Sequence, residues 1–82
     1  MKASVEISMY PLEREYVHEI KDFISRIRDH DTLECVSNGM STQIFGEYRA
    51  IMNVLTDEIE KSFEKHGKSI FVFKLVNSYL KK

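Results

Sequence analysis

Tryptophan is absent from this 82-residue chain, cysteine and proline occur once each, and glycine three times. A lone cysteine excludes an intrachain disulfide and fits a reducing cytosol. Cys35 falls on a candidate strand, where a thiol ordinarily serves as a small buried hydrophobe. The scarcity of proline and glycine goes with the lack of any linker or low-complexity segment, and no internal repeat is visible. No uninterrupted apolar run approaches the ~20 residues of a membrane span, and the opening MKASVEISMYPLERE has no signal-peptide apolar core. Excess charge is missing too: 12 basic against 13 acidic residues leave a net charge of −1. That speaks against a nucleic-acid surface, which needs clustered Lys and Arg. The expectation is a cytoplasmic protein with neither nucleic acid nor membrane as partner.

What is present belongs to a globular chain: 43% hydrophobic and 30% charged residues, too apolar for disorder. The length fits one domain over residues 1–82. A fold this small buries only roughly 60–65% of its unfolded surface, and oligomerisation is a common remedy for so marginal a core.

Two periods alternate along the chain. Residues 3–10, ASVEISMY, place Ala3, Val5, Ile7 and Met9 on one side and Ser4, Glu6, Ser8 and Tyr10 on the other, a half-buried strand. Pro11 ends it, having no N–H for a ladder. Over residues 13–29, Val17, Ile20, Phe23, Ile24 and Ile27 form a helical stripe. Glu13 and Glu15 near its start and Arg26 and Arg28 near its end suit the helix dipole. Residues 32–37 read as a strand, SNG at 37–39 as a turn with positive φ at Asn and Gly, and residues 40–45 as the return strand closed by Gly46. A second helix over 47–65 carries Tyr48, Ile51, Met52, Leu55, Ile59 and Phe63 on one face, and Gly67 is its stop. SIFVFKLV, residues 69–76, is a strand with Tyr79 as its outer limit.

The order strand, helix, strand, strand, helix, strand is the ferredoxin-like α+β pattern, βαββαβ: a four-stranded antiparallel sheet with two helices on one face. Apolarity assigns the Val5, Ile7, Met9 side to the helices. By the same test Met40, Thr42 and Ile44 face the helices, which puts a hydroxyl in an apolar row. A buried hydroxyl needs a partner: backbone, water or a ligand. The last strand is apolar on both faces and falls at a sheet edge, where an uncovered apolar strand invites pairing. Covering by another subunit predicts a homo-oligomer.

Catalytic signals are missing. His18, His30 and His66 are scattered, form no short-spaced metal set with Cys35, and read as solvated surface residues. No phosphate-cradling glycine loop or nucleophile elbow occurs. The helix carboxylates, interleaved with Lys and Arg, read as a solvated surface with a few i,i+4 pairs. An acylphosphatase-type enzyme on this fold needs a phosphate loop with an arginine after the first strand. Here YPLERE offers Arg14 in an acidic setting without glycine. Glu6, in mid-strand, has three readings: an ion pair across the sheet with Lys74, a place in a subunit interface, or a hold on a ligand amine.

Two stretches taken together, VEISMYPL (5–12) and NGMSTQIFGE (38–47), resemble the thiamine-binding family of YkoF- and MTH1187-like proteins. The markers are Ser8, Tyr10 and Pro11 in S-x-Y-P, then Gly39 to Thr42 in G-M-S-T, followed by Gly46. The similarity spans nearly the whole chain, in its single-domain form. It implies non-catalytic binding of thiamine or its hydroxymethylpyrimidine moiety as ligand, no cofactor, and a cytoplasmic oligomer, a homotetramer or dimer. By motif position it implies Thr42 and Ser41, then Ser8, as ligand-binding residues. Chemistry adds Asn38 and Tyr10: amides and hydroxyls match both edges of an aminopyrimidine, and aromatic rings stack on it. Met40 fills an adaptable apolar gap, and Glu6 is a candidate partner for the amino group. The competing expectation is a structural or regulatory assembly module with no small ligand.

Overall fold

The computed structural model of the chain describes residues 1–12 and 16–81. Its elements run β1 (Lys2–Pro11), α1 (Tyr16–Arg28), β2 (Glu34–Ser37), β3 (Thr42–Glu47), α2 (Tyr48–His66) and β4 (Ser69–Val76). The strands form one antiparallel sheet in the order β2-β3-β1-β4, the ferredoxin-like α+β fold. The features expected at Glu13, Arg14 and Glu15 lie outside the described residues.

β1 carries the core because its sequence alternates strictly. Ala3, Val5, Ile7 and Met9 are buried against Phe23 and Ile27 of α1 and Ile51, Val54 and Leu55 of α2. Pro11 is the last paired residue, opposite Ser69. Beside it, the Leu12 amide donates to the Lys68 carbonyl at 3.0 Å. β2 is shorter than its apolar pattern predicts. The Leu33 amide donates to the His30 carbonyl, so Thr32 and Leu33 continue a turn leaving α1. That turn passes so close to Gly46 that a Cβ there would stand 2.9 Å from Leu33 Cδ2 and 3.3 Å from the Thr32 carbonyl oxygen. Gly46 lies inside β3, where a Cβ would crowd the Leu33 side chain and the Thr32 carbonyl oxygen. Gly67, at φ 81°, ends α2 as expected.

Three local expectations are corrected. The β2–β3 turn does not use positive φ at Asn38 or Gly39; among the described residues only Gly67 has it. Instead the Asn38 side-chain carbonyl accepts from the Met40 and Ser41 amides at 2.8 and 3.2 Å, an Asx-type turn. This holds Met40 out of the strand. Met40 is 87% exposed at the hairpin tip and does not share the helix-facing row of Thr42 and Ile44. Val17 and Phe63, expected in the helical stripes, are also exposed, whereas Val54 is buried. The buried face of α2 includes Ile51, Val54, Leu55, Glu58 and Ser62, because α2 meets α1 as well as the sheet.

The α1–α2 contact is ionic. Arg26 reaches from α1 and donates to Glu58 Oε1 at 2.6 Å, to the Glu58 carbonyl at 2.9 Å, to Ser62 Oγ and to Asp22 Oδ2. His30 Nε2 lies 2.8 Å from Glu58 Oε2 and His66 Nε2 lies 2.8 Å from Asp22 Oδ2. Two of the three histidines are therefore partnered rather than solvated, and His66 is largely buried. Burial pushes the Asp22 carboxyl up, but His66, Lys65 and Arg26 outweigh it and hold the pKa at about 2, from an ordinary 3.8. Burial likewise raises Glu58, and His30 and Arg26 bring it below its usual range.

Both carboxylates are depressed in the fold, so their stabilisation is complete above the ordinary carboxylate range. It is lost as the pH falls through their folded values. Acidification from pH 6 to pH 2 is expected to remove on the order of 1–2 kcal/mol through Asp22. Urea unfolding along that series checks this, and an Asp22→Asn variant should show a flatter profile.

Candidate functional site

Where β1 ends, the β2–β3 turn bends over it and α1 packs alongside, leaving a cavity of about 280 Å³. Ligand pockets commonly span about 300–1,000 Å³, so this one suits a small ring. Ser8, Tyr10, Asn38, Met40, Ser41 and Thr42 all line it. Its apolar wall comes from Ile7 and Met9 of β1 and from Ile20, Phe23 and Ile24 of α1. Among the described residues the lining carries no charged side chain.

Thr42 is 4% exposed, and its hydroxyl lies 3.3 Å from Ser37 Oγ with either atom able to donate. The pair therefore presents a donor or an acceptor as a ligand requires. The Ser8 hydroxyl makes only a long contact, 3.5 Å, to the Met40 carbonyl. Asn38 spends its carbonyl oxygen on the turn. Ser41 turns its hydroxyl the other way, donating to Glu6 Oε2 at 3.0 Å.

Glu6 does not line this cavity. It stands on the opposite sheet face, paired with Lys74 Nζ at 2.9 Å, as one reading of the sequence expected. Lys74 and then Ser41 hold its carboxyl below the ordinary value. With Gln43, Phe45, Val76 and Leu80 it borders a second cavity of about 350 Å³. Glu6 reaches the first cavity only through the Ser41 hydroxyl.

Ser37 and the α1 wall residues escaped the sequence reading. Ser37 stands opposite Thr42 in a register that only the fold makes visible. The wall follows from the i, i+3, i+4 spacing of Ile20, Phe23 and Ile24. Cys35 is half-buried against the core, and burial pushes its thiol up, with Arg28 opposing, as for an unreactive cysteine. Among the described residues, no group of three or more His, Cys, Asp or Glu side chains is arranged to hold a metal ion, and no helix is long and apolar enough to cross a membrane.

No family profile matches the chain, and no curated protein matches its sequence. Solved structures do resemble it. Protein SP2199 from Streptococcus pneumoniae has a TM-score of 0.86 at 20% identity, over 98% of this chain and 90% of that one. TM0486 from Thermotoga maritima, provisionally assigned to thiamine biosynthesis or salvage, has a TM-score of 0.81 at 16% identity, over 92% and 82%. A DUF77 domain of unknown function from Bacillus cereus has 0.73 at 12%, over 96% and 78%. At these identities the likeness is one of fold, and the fold is shared with a protein provisionally linked to thiamine and with a DUF77 domain.

Proposed function

We propose that this chain binds thiamine or its hydroxymethylpyrimidine moiety, without catalysis, in the cavity between β1, the β2–β3 turn and α1. The observation that carries the reading is the Thr42–Ser37 hydroxyl pair beside a small cavity that Thr42, Ser8 and Asn38 line, without charged lining among the described residues. An aminopyrimidine offers adjacent donors and acceptors, and the Thr42–Ser37 hydroxyl pair accommodates either. Met40, exposed at the hairpin tip, is an adaptable lip. The fold is shared with TM0486, a protein provisionally assigned to thiamine biosynthesis or salvage, which is in keeping with this reading. The free thiol of Cys35 fits the reducing cytoplasm.

Titration calorimetry with thiamine and with hydroxymethylpyrimidine tests the proposal. Neither heat nor a thermal shift at millimolar ligand, with the protein folded, rejects it. Thr42→Val is expected to keep the fold and weaken binding roughly tenfold, a loss of about 1–2 kcal/mol.

A second reading, an assembly module without a small ligand, draws on β4. This edge strand exposes Ile70, Val72, Phe73, Leu75 and Val76. We propose self-association, as a homodimer or homotetramer, under either reading. The pure assembly module predicts that Thr42→Val leaves every measured property unchanged or raises stability.

A further inference from the structure

Ser37 and Thr42 are directly opposed residues, the last pair of the β2–β3 ladder before the turn. Opposed residues point to one sheet face, and these two hydroxyls stand 3.3 Å apart with either atom able to donate. Among the described residues neither hydroxyl has another hydrogen-bond partner. Thr42 lines the cavity and Ser37 does not. Thr42 is buried, whereas Ser37 is half-buried and keeps access to solvent. Ser8 brings a second lightly held hydroxyl to the lining, its contact to the Met40 carbonyl being 3.5 Å long.

One hydrogen lies between the two oxygens, and either residue can supply it. When Ser37 supplies it, the Thr42 hydrogen is free to donate into the cavity. When Thr42 supplies it, the Thr42 oxygen accepts from the cavity and the Ser37 hydrogen turns to water. Thr42 is satisfied in both states. The difference matters for a pyrimidine, because exchanging a ring amino group for an oxo group inverts two neighbouring positions. The exocyclic donor becomes an acceptor, and the adjacent ring nitrogen gains a hydrogen and becomes a donor. A site of fixed donors and acceptors rejects one of the two forms by about 10⁴–10⁵-fold, since its buried groups are left unpaired. A rotatable hydroxyl pair carries no such bias, and the Ser8 hydroxyl can serve a neighbouring position in the same way.

We propose that Ser37, a positioning residue acting through Thr42, lets the cavity take pyrimidines that present either an amino or an oxo group. This rests on the pyrimidine binding proposed above and widens its ligand class to both hydrogen-bond patterns. Removing Ser37 then has a sign. With an amino ligand donating to Thr42, the Thr42 hydrogen would lose its only acceptor and be buried unpaired. With an oxo ligand accepting from Thr42, only a lone pair would go unanswered, which costs less than an orphaned donor.

Titration calorimetry with hydroxymethylpyrimidine and with its deaminated analogue, which carries oxo in place of the amino group, tests it. The natural chain is expected to bind the two within about tenfold of each other. Ser37→Ala is expected to weaken the amino ligand about tenfold and the oxo ligand about threefold or less, so that the ratio of the two affinities shifts toward oxo. Ser37→Thr, which returns a hydroxyl to the position, is expected to restore the natural ratio. A purely structural role for Ser37 would weaken both ligands alike and leave the ratio where it was, and that result overturns the proposal. A natural chain that prefers one ligand by a hundredfold or more overturns it too, without needing any variant to fold, and leaves the binding reading standing. If the folded natural chain binds neither ligand, nor thiamine, the binding reading fails and this one fails with it. Circular dichroism checks that the variants fold.

Discussion

Arg26→Ala is expected to destabilise the fold by about 3–5 kcal/mol, as does removal of one partner from a buried ion pair. The side chain is a quarter or less exposed and joins four groups. Glu58, with its side chain 4% exposed, would keep its charge and lose its shortest partner. Ser62, fully buried, would lose the guanidinium donor that its hydroxyl accepts. Among the described residues only His30 and the exposed Lys61 would then face the carboxylate, and a buried charge so weakly answered costs more than the pair gained in forming. The loss should not be repaired by Arg26→Lys, because an ammonium cannot spread donors over Asp22, Glu58 and Ser62 at once. It should be largely repaired by Arg26→Met combined with Glu58→Leu, which exchanges the pair for apolar packing. Urea unfolding reads all three variants, the slope staying constant if only stability changes. A single-variant loss below about 1 kcal/mol would place the arginine among ordinary surface pairs.

This ionic seam was the least legible part of the sequence, and the reason is geometric. A helix on a sheet usually shows one apolar stripe. Here α1 and α2 also meet each other, and the meeting side is built from Asp22, Arg26, Glu58 and Ser62, residue types that otherwise mark a solvated face. Glu19, 2% exposed, misleads in the same way. The strands were easier. Their period of two survives any packing arrangement, so the inward row Ala3, Val5, Ile7 and Met9 could be read directly. The same parity placed Thr42 inward, whereas Ser37 was missed because the register that sets it opposite Thr42 is visible only in the fold. Met40 broke the parity because a side chain, Asn38, overrode backbone propensity and stopped the strand at Thr42. Such side-chain to backbone competition is local, yet composition does not reveal when it wins. For the candidate site, the hairpin half was readable from polar residues in an apolar run. The α1 half was hidden because Ile20, Phe23 and Ile24 look like any core stripe.

Phe23 joins core and cavity, and Phe23→Ala carries the other large effect, about 3–5 kcal/mol of lost stability. The ring is 2% exposed. It packs against Phe71 with centroids 5.0 Å apart and lies under the Arg26 guanidinium at 5.9 Å. Aromatic pairing of this kind adds about 0.5–1.5 kcal/mol beyond burial. Truncation removes the wall between the hydrophobic core and the 280 Å³ cavity, so the new void does not close on itself but opens into existing space. The surrounding β1 side chains are held in place by the sheet register and follow little. Phe23→Leu, which keeps most of the volume, should therefore cost only about 1–1.5 kcal/mol. The enlarged cavity offers a second readout. A void lined by apolar side chains stays dry and takes up small aromatic solutes. Benzene is accordingly expected to raise the melting temperature of Phe23→Ala while leaving the natural chain unmoved. If benzene stabilises neither protein, the void has collapsed and Phe23 is a core residue that does not shape the cavity. If it stabilises both equally, the cavity already admits an apolar ring without Phe23 being removed.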